Sequence, residues 1–404
     1  MTAAAPGDGL DVLALNCGSS SLKFGLFRAL ATEVQPLVTG QVDAIGQSAS
    51  AVSATRRSDG QALSDTAAIA THTDAVDRIA QRLADWSAPT PAAIGHRIVH
   101  GGPTLRGHCL IDGPMMRALE AATAFAPLHT PAALEVIRAA QARFPGAPQV
   151  ACFDTAFHAH MPDVARVLPI PRALGIEGVQ RYGFHGLSCE SITQQLSSAL
   201  PRRMIIAHLG GGASLTAVES GRSIDTSMGL TPTGGVMMET RSGDLDPGVL
   251  LYLLREKRLD AAQLEDLVDR RSGLLGVSDV SGDLRDLHRA ASTNPAARLA
   301  IAMFAYDVRK AIAAMAAALQ GLDLIVFTGG VGENDAEARA AICQGLGWLG
   351  VDLDAARNRG AVNPISRAGS RCGVQVLPCR EDEQIARHVR AIIGQRSGEP
   401  VGSP

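Results

Sequence analysis

The chain has 404 residues, 46% of them hydrophobic and 19% charged, with a formal net charge of -3. That length exceeds what one hydrophobic core organises and predicts two domains, while the composition excludes a disordered chain. No basic stripe marks a nucleic-acid surface, so no nucleic-acid partner is expected.

The first residues, M-T-A-A-A-P-G-D-G, lack the basic start and apolar core of a signal peptide and read as a short disordered extension, which predicts a cytoplasmic protein. D-V-L-A-L-N-C-G-S-S-S-L-K-F-G-L-F then reads as an apolar strand, a Gly/Ser turn and a second strand beginning near Leu22. P-A-A-L-E-V-I-R-A-A-Q-A-R-F (131–144) has a helical period, and the F-P-G-A-P cluster at 144–148 is the best linker signal. P-Q-V-A-C-F (148–153) reads as a buried strand. M-I-I-A-H-L-G-G-G-A-S-L-T-A-V (204–218) repeats the opening plan of strand, glycine turn and strand. The apolar helical stretch 297–320 carries Asp307, Arg309 and Lys310, too costly for a bilayer centre, so it predicts a buried helix and no membrane association. D-L-I-V-F (323–327) is another buried strand, followed by F-T-G-G-V-G-E-N (327–334), read as a tight turn before a helix that has Glu333 and Asn334 near its start. The tail after Gly394 is expected to fray. Alternating strands and helices give an α/β fold, and the repeated hairpin predicts two halves of related topology, each offering a glycine loop to a shared cleft.

The cysteines at 17, 109, 152, 189, 343, 372 and 379 have no C-x-x-C spacing and fit reduced thiols, Cys372 and Cys379 included. Glycine tips between strands can surround an anion with backbone N–H groups, and tight turns at strand ends are where nucleotides bind in α/β sheets. Neither hairpin tip is a Walker loop, and each taken alone is equally a plain turn.

Taken together, N-C-G-S-S-S-L-K, G-H-R-I-V-H-G-G, F-D-T-A-F-H, R-Y-G-F-H-G-L-S, H-L-G-G-G-A-S, D-T-S-M-G-L-T-P, T-R-S-G-D-L-D-P-G, S-G-L-L-G-V-S and G-G-V-G-E-N occur in the order that resembles the acetate kinase family. The resemblance implies an actin-like (ribonuclease H-like) fold shared with sugar kinases and Hsp70, with ATP and substrate between two lobes. It implies an N-terminal lobe over 1–150, joined by the segment 380–404, and a nucleotide-binding and dimerisation lobe over 151–379, hence a homodimer.

Residue by residue, the resemblance makes Asn16 and Glu381 the site of magnesium, which manganese can replace; Glu381, in C-R-E-D-E-Q-I-A-R, is found by counting back from Ile385. Hard cations take oxygen donors, so an amide and a carboxylate are a fitting protein share. ATP or ADP would contact Lys23, the loop His208, Leu209, Gly210, Gly211 and Gly212, the segment Asp283, Leu284 and Arg285, and Gly330, Val331, Gly332, Glu333 and Asn334. The family loop usually reads H-L-G-N-G, so Gly211 is a departure, and Gly211→Asn is expected to tighten ATP or raise turnover modestly, provided that φ there is not positive. Arg97 and Arg241 match arginines flanking the acid and the phosphoryl group, suited by the planar guanidinium fork. His185 matches a donor to the transferring phosphoryl group, and His129 lies in a matching motif, whereas His108, His160 and His288 are read as structural. Val99, Leu128, Phe184 and Pro232 would wall the acid's alkyl group. Asp154 matches a catalytic carboxylate. A short carboxylic acid, with a pKa of about 4.5, is already ionised at neutral pH, so Asp154 is expected to orient an arginine or a metal-bound water.

The activity implied is reversible, magnesium-dependent transfer of the γ-phosphoryl group of ATP to acetate, giving acetyl phosphate and ADP. The alternatives are propionate as the acid and, from another class, an actin- or Hsp70-like nucleotide switch. The arginine pair argues against the switch, which has no need of a carboxylate clamp.

Overall fold

The computed structural model describes residues 9–397, and the extension read before Gly9 lies outside them. The chain divides into two compact units, one running to Ala156 and resuming at Arg380, the other Phe157–Cys379. The cluster at 144–148 is therefore not the boundary. It links the helix Thr130–Arg143 to a strand of the same sheet, and the chain leaves the first unit only after that strand is paired.

The first unit is built on β1 (Leu10–Cys17), β2 (Ser21–Ala29), β3 (Val34–Asp43), β4 (Ser50–Arg56), β5 (Ala62–Ala67), β6 (Ala93–Ile98), β7 (Cys109–Leu110) and β8 (Gln149–Phe153). They form one sheet in the order β5-β4-β3-β2-β1-β6-β8-β7. The hairpin read from the sequence is β1–β2, registered so that Asn16 faces Lys23. Side chains alternate across the sheet. Ile94 packs into the cluster holding Val76 and Ile79 of the helix His72–Asp85 and Val136 and Ala140 of the helix Thr130–Arg143. The next residue, Gly95, faces the helix Glu381–Ser397, where an added Cβ would lie 2.3 Å from Ile385 Cγ2 and 2.7 Å from Val389 Cγ2. Glycine lets that helix seat directly on the strand. The same helix continues through Gly394 to Ser397, so the chain does not leave the helical conformation at Gly394.

The second unit holds β9 (Arg203–Leu209), β10 (Ala213–Glu219), β11 (Arg222–Thr226), β12 (Leu324–Thr328) and β13 (Gly373–Val376), in the order β11-β10-β9-β12-β13. Its successive pairings are antiparallel, antiparallel, parallel and parallel. The run β3-β2-β1-β6-β8 of the first unit has the same succession. The repeated hairpin in the sequence is thus the visible part of a repeated sheet. The helix Pro295–Ala318, capped by the Asn294 side chain, packs Phe304, Val308 and Ile312 into the second unit; no helix among the described residues is long and apolar enough to cross a membrane.

Candidate active site

In the first unit the chemistry gathers where β1, β6 and β8 end beside the start of the helix Glu381–Ser397. Asn16 closes β1 and is 8% exposed. Its Nδ2 donates to Glu381 Oε2 at 2.9 Å and to Asp382 Oδ1 at 3.3 Å, while its Oδ1 accepts from Arg97 at 3.3 Å. Arg97, on β6, also donates to Asp154 Oδ2 from Nε at 2.9 Å and from the guanidinium NH2 group at 2.6 Å. Asp154 follows β8 and is fully buried. The guanidinium is thus held from two sides before any substrate arrives. The Asp382 carboxyl is pushed up to about 6, chiefly by burial and then by Glu381, against the pull of Asn16, Lys23 and Arg97. The two carboxylates are hard oxygen donors, which suits magnesium or manganese, while the Asn16 amide turns its nitrogen to them and its oxygen to Arg97. The neighbouring Cys17 thiol is pushed up to about 12 by burial and is no nucleophile at neutral pH.

In the second unit the tip between β9 and β10 is the focus. Gly210 N donates to Gly212 O at 3.0 Å, closing the turn. A Cβ added at Gly212 would lie 3.2 Å from His185 Nε2 and 3.3 Å from a terminal nitrogen of Arg241, so both cationic-type side chains converge over this glycine. His185 has a left-handed backbone (φ 56), and its ring Nδ1 pairs with Ser214 Oγ at 2.8 Å. Ser214 therefore sets which ring nitrogen is turned towards the loop. The rings of His185 and His208 stack with centroids 4.1 Å apart, and His208 Nδ1 pairs with Ser188 Oγ at 2.8 Å. Arg241 donates to Pro232 O at 3.2 Å. The carbonyl before His185, that of Phe184, accepts from the buried His158 at 3.0 Å, whose other nitrogen pairs with Ser223 Oγ at 2.8 Å. Burial lowers the His158 imidazole to about 4, so it holds that carbonyl as a neutral ring.

The glycine cluster after β12 differs from the expected turn. Residues Gly329–Asn334 are themselves a helix, and a second helix, Ala336–Cys343, follows. Gly329 has φ +78, and an added Cβ would lie 2.7 Å from Leu209 O, so this start is pressed against the end of β9. Glu333 sits at the end of the short helix, where its Oε1 accepts from Gly329 N at 3.1 Å and Cys379 N at 2.8 Å. Its carboxylate therefore braces the segment. Asn334 Nδ2 donates to Gly330 O at 2.9 Å. Arg339, only 1% exposed, donates to Gly332 O and Glu333 O, both at 2.9 Å, and to Asn358. Asp283 caps the helix Leu284–Ala290 through Arg285 N and pairs with the exposed Arg285 side chain at 2.6 Å.

Residues 11–387 match the model of the acetokinase family. The chain belongs to the acetokinase family. It is 43% identical over 399 residues to an acetate kinase of Nitrobacter hamburgensis, covering 96% of this chain and 98% of the relative. An acetate kinase of Heliobacterium modesticaldum is 42% identical, with 93% and 98% covered. Among solved structures, a propionate kinase from Francisella tularensis superposes with a TM-score of 0.89 at 35% identity, covering 95% of this chain and all of that one. An acetate kinase from Porphyromonas gingivalis gives 0.85 at 37% identity with the same coverage. The actin-like, two-unit α/β fold expected from the sequence is the fold of these acetokinases.

Within this acetokinase, the sequence-derived residues fall into two sets. Asn16, Lys23, Arg97, Val99, Leu128, Asp154 and Glu381 belong to the first unit; Phe184, His185, His208–Gly212, Pro232, Arg241, Asp283–Arg285 and Gly330–Asn334 belong to the second. Val99 and Phe184 are both buried. Sequence reading missed Asp382, Ser188, Ser214, His158, Glu239 and Arg339. Asp382 had a signal, standing beside Glu381 in C-R-E-D-E-Q, but Arg339, in E-A-R-A-A-I, looks like an ordinary surface arginine.

Proposed function

We propose that this chain transfers the γ-phosphoryl group of ATP to acetate, reversibly, giving acetyl phosphate and ADP. The observation that carries the reading is the convergence of His185 and Arg241 over Gly212: two donors aimed at the mouth of a backbone loop form a stabilising environment for a phosphoryl group gaining equatorial charge. Gly210–Gly212 would cradle phosphates with backbone N–H groups, and Gly330–Asn334 with Asp283–Arg285 would meet the nucleoside. Arg97 binds the acid's carboxylate, and Asp154 is its positioning residue, since it accepts twice from that guanidinium. The ionised acid attacks phosphorus with no proton to remove, so positive charge and alignment do the catalytic work. Asn16, Glu381 and Asp382 would hold magnesium, which neutralises phosphate charge when bound, and Lys23, opposite Asn16 in the hairpin, would add a further cation.

Val99, Leu128, Phe184 and Pro232 would wall the acid's methyl group, and propionate is the second reading, because a propionate kinase superposes at 0.89. The helix Pro247–Arg255 buries none of its residues and exposes Leu251 (48%) and Tyr252 (53%), which supports association of two copies. We place the reaction in the cytoplasm, where the seven free cysteines would stay reduced. The test is hydroxylamine trapping of acyl phosphate from purified protein, Mg-ATP and acetate, propionate or butyrate. Hydroxamate from acetate is expected; ATP hydrolysis without hydroxamate would return the chain to the nucleotide-switch class.

A further inference from the structure

Glu239 has no part in the scheme above, yet it stands on the same rigid turn as Arg241. That turn is held from behind: Met238 N donates to Arg241 O at 3.1 Å, Leu274 N to Met238 O at 2.8 Å, and Leu275 N to Glu239 O at 2.9 Å. Gly273, at φ +62, packs so close that an added Cβ would lie 2.2 Å from Met238 O. The Glu239 side chain reaches across to the β9–β10 tip. A Cβ added at Gly211 would lie 3.1 Å from Glu239 Oε2 and 3.3 Å from its Cδ. The carboxylate is partly buried, and among the described residues it accepts no hydrogen bond and forms no ion pair. Its charge is therefore directed at the loop with nothing bonded to it. Burial, and secondarily Asp283, raise its carboxyl above the usual range, opposed by Arg285 and Arg241.

A lone carboxylate against a phosphate-binding tip repels in proportion to the charge that the ligand brings. Resting on the reading of Gly210–Gly212 as the phosphate cradle, we infer that Glu239 selects for nucleotide already complexed with a divalent cation, by repelling metal-free nucleotide from this loop. The cation cancels roughly half of the triphosphate charge, so the penalty imposed on the free form is roughly double that on the complex. Doubling a free-energy penalty squares the factor in affinity. Glu239 is thus a specificity-determining residue for the charge state of the nucleotide.

The experiment measures binding of ATP by titration calorimetry with excess magnesium and, separately, with EDTA, on the full-length protein and on Glu239→Gln, which keeps the shape and removes the charge. If the complexed form binds about threefold more tightly in Glu239→Gln, the metal-free form should gain about tenfold, so the discrimination between them falls about threefold. Gly210→Ala is the control for the cradle, because its Cβ would meet Gly212 O at 3.5 Å and Gly330 N at 3.7 Å, ordinary contacts, while adding bulk to the tip. It should weaken both forms alike. An unchanged ratio in Glu239→Gln, with both forms weakened by Gly210→Ala, would overturn the role of Glu239 and leave the cradle standing. Unchanged binding in both variants would remove the cradle, and the inference with it.

Discussion

Arg241 and Arg97 are both fixed before substrate binds, but by different means, and this predicts different losses. Arg97 is clamped by Asp154 and Asn16, so Asp154→Asn should loosen the guanidinium and raise the KM for acetate. Arg241 leans on Pro232 O and faces Gly212, so Arg241→Ala should lower kcat by about 100- to 1,000-fold with little change in KM for acetate. Steady-state kinetics of folded variants separates the two, and near wild-type turnover would remove either residue from the site. The position of Glu239 sets a condition on Gly211→Asn, because an added Cβ there would lie 3.1 Å from Glu239 Oε2 and that carboxylate must shift to admit it. Gly211→Asn should therefore tighten ATP more in a Glu239→Ala background than alone, read as the KM for ATP. A pH effect follows from His96 and His158, which burial lowers to about 4. Unfolded, both titrate near 6.5, so between these values the unfolded chain binds more protons and stability is lost as pH falls. Each should cost about 2 kcal/mol between pH 7 and pH 5, read by urea titration at the two values.

The elements that place these residues were legible to unequal degrees. Both hairpins, the helix Thr130–Arg143 and the strands β8 and β12 follow from apolar runs punctuated by glycine or proline. The helix Gly329–Asn334 was not legible, because three of its six residues are glycine, the poorest helix former after proline. Distant partners hold it: Glu333 reaches back to Gly329 N and Arg339 caps the carbonyls of Gly332 and Glu333. No local pattern announces such support. Arg339→Met should therefore destabilise by about 3 kcal/mol and raise the KM for ATP more than that for acetate, measured by chemical denaturation and kinetics. Ser214 and Ser188, which orient the two stacked histidines, were equally silent, since a serine on a buried strand or helix declares no partner until the fold supplies one. At β6 the close seating of the C-terminal helix gives a sharper test. Gly95→Val drives a side chain into Ile385 and Val389, so it should displace that helix and weaken magnesium activation, while Gly107→Ala, where an added Cβ meets nothing within 4 Å, should not.

At the scale of the molecule, one succession of strand pairings serves twice, and the two copies carry complementary chemistry: acid residues and Arg97 in one, the glycine tip with His185 and Arg241 in the other. The exposed apolar residues of Pro247–Arg255, with Leu299, Met303 and Tyr306 on successive turns of Pro295–Ala318, belong to the second copy. On the proposed association of two copies through this face, light scattering should give the mass of two chains for the wild type and of one for Tyr252→Glu; a single-chain mass in the wild type would remove the proposal, and an unchanged two-chain mass in the variant would place the contact elsewhere. The first unit is closed by the last described helix of the chain, which packs on β1, β2, β6 and β8 and brings Glu381 and Asp382 to Asn16. The sheet that precedes Phe157 is therefore completed by a helix that follows Cys379. Phe157–Cys379 is one uninterrupted stretch and can fold while synthesis continues, whereas the sheet before it waits with its Gly95 face uncovered until Glu381–Ser397 has been made. A chain interrupted between Cys379 and Glu381 lacks both the cover of that sheet and the two carboxylates beside Asn16, so such a product should not act as a partial kinase.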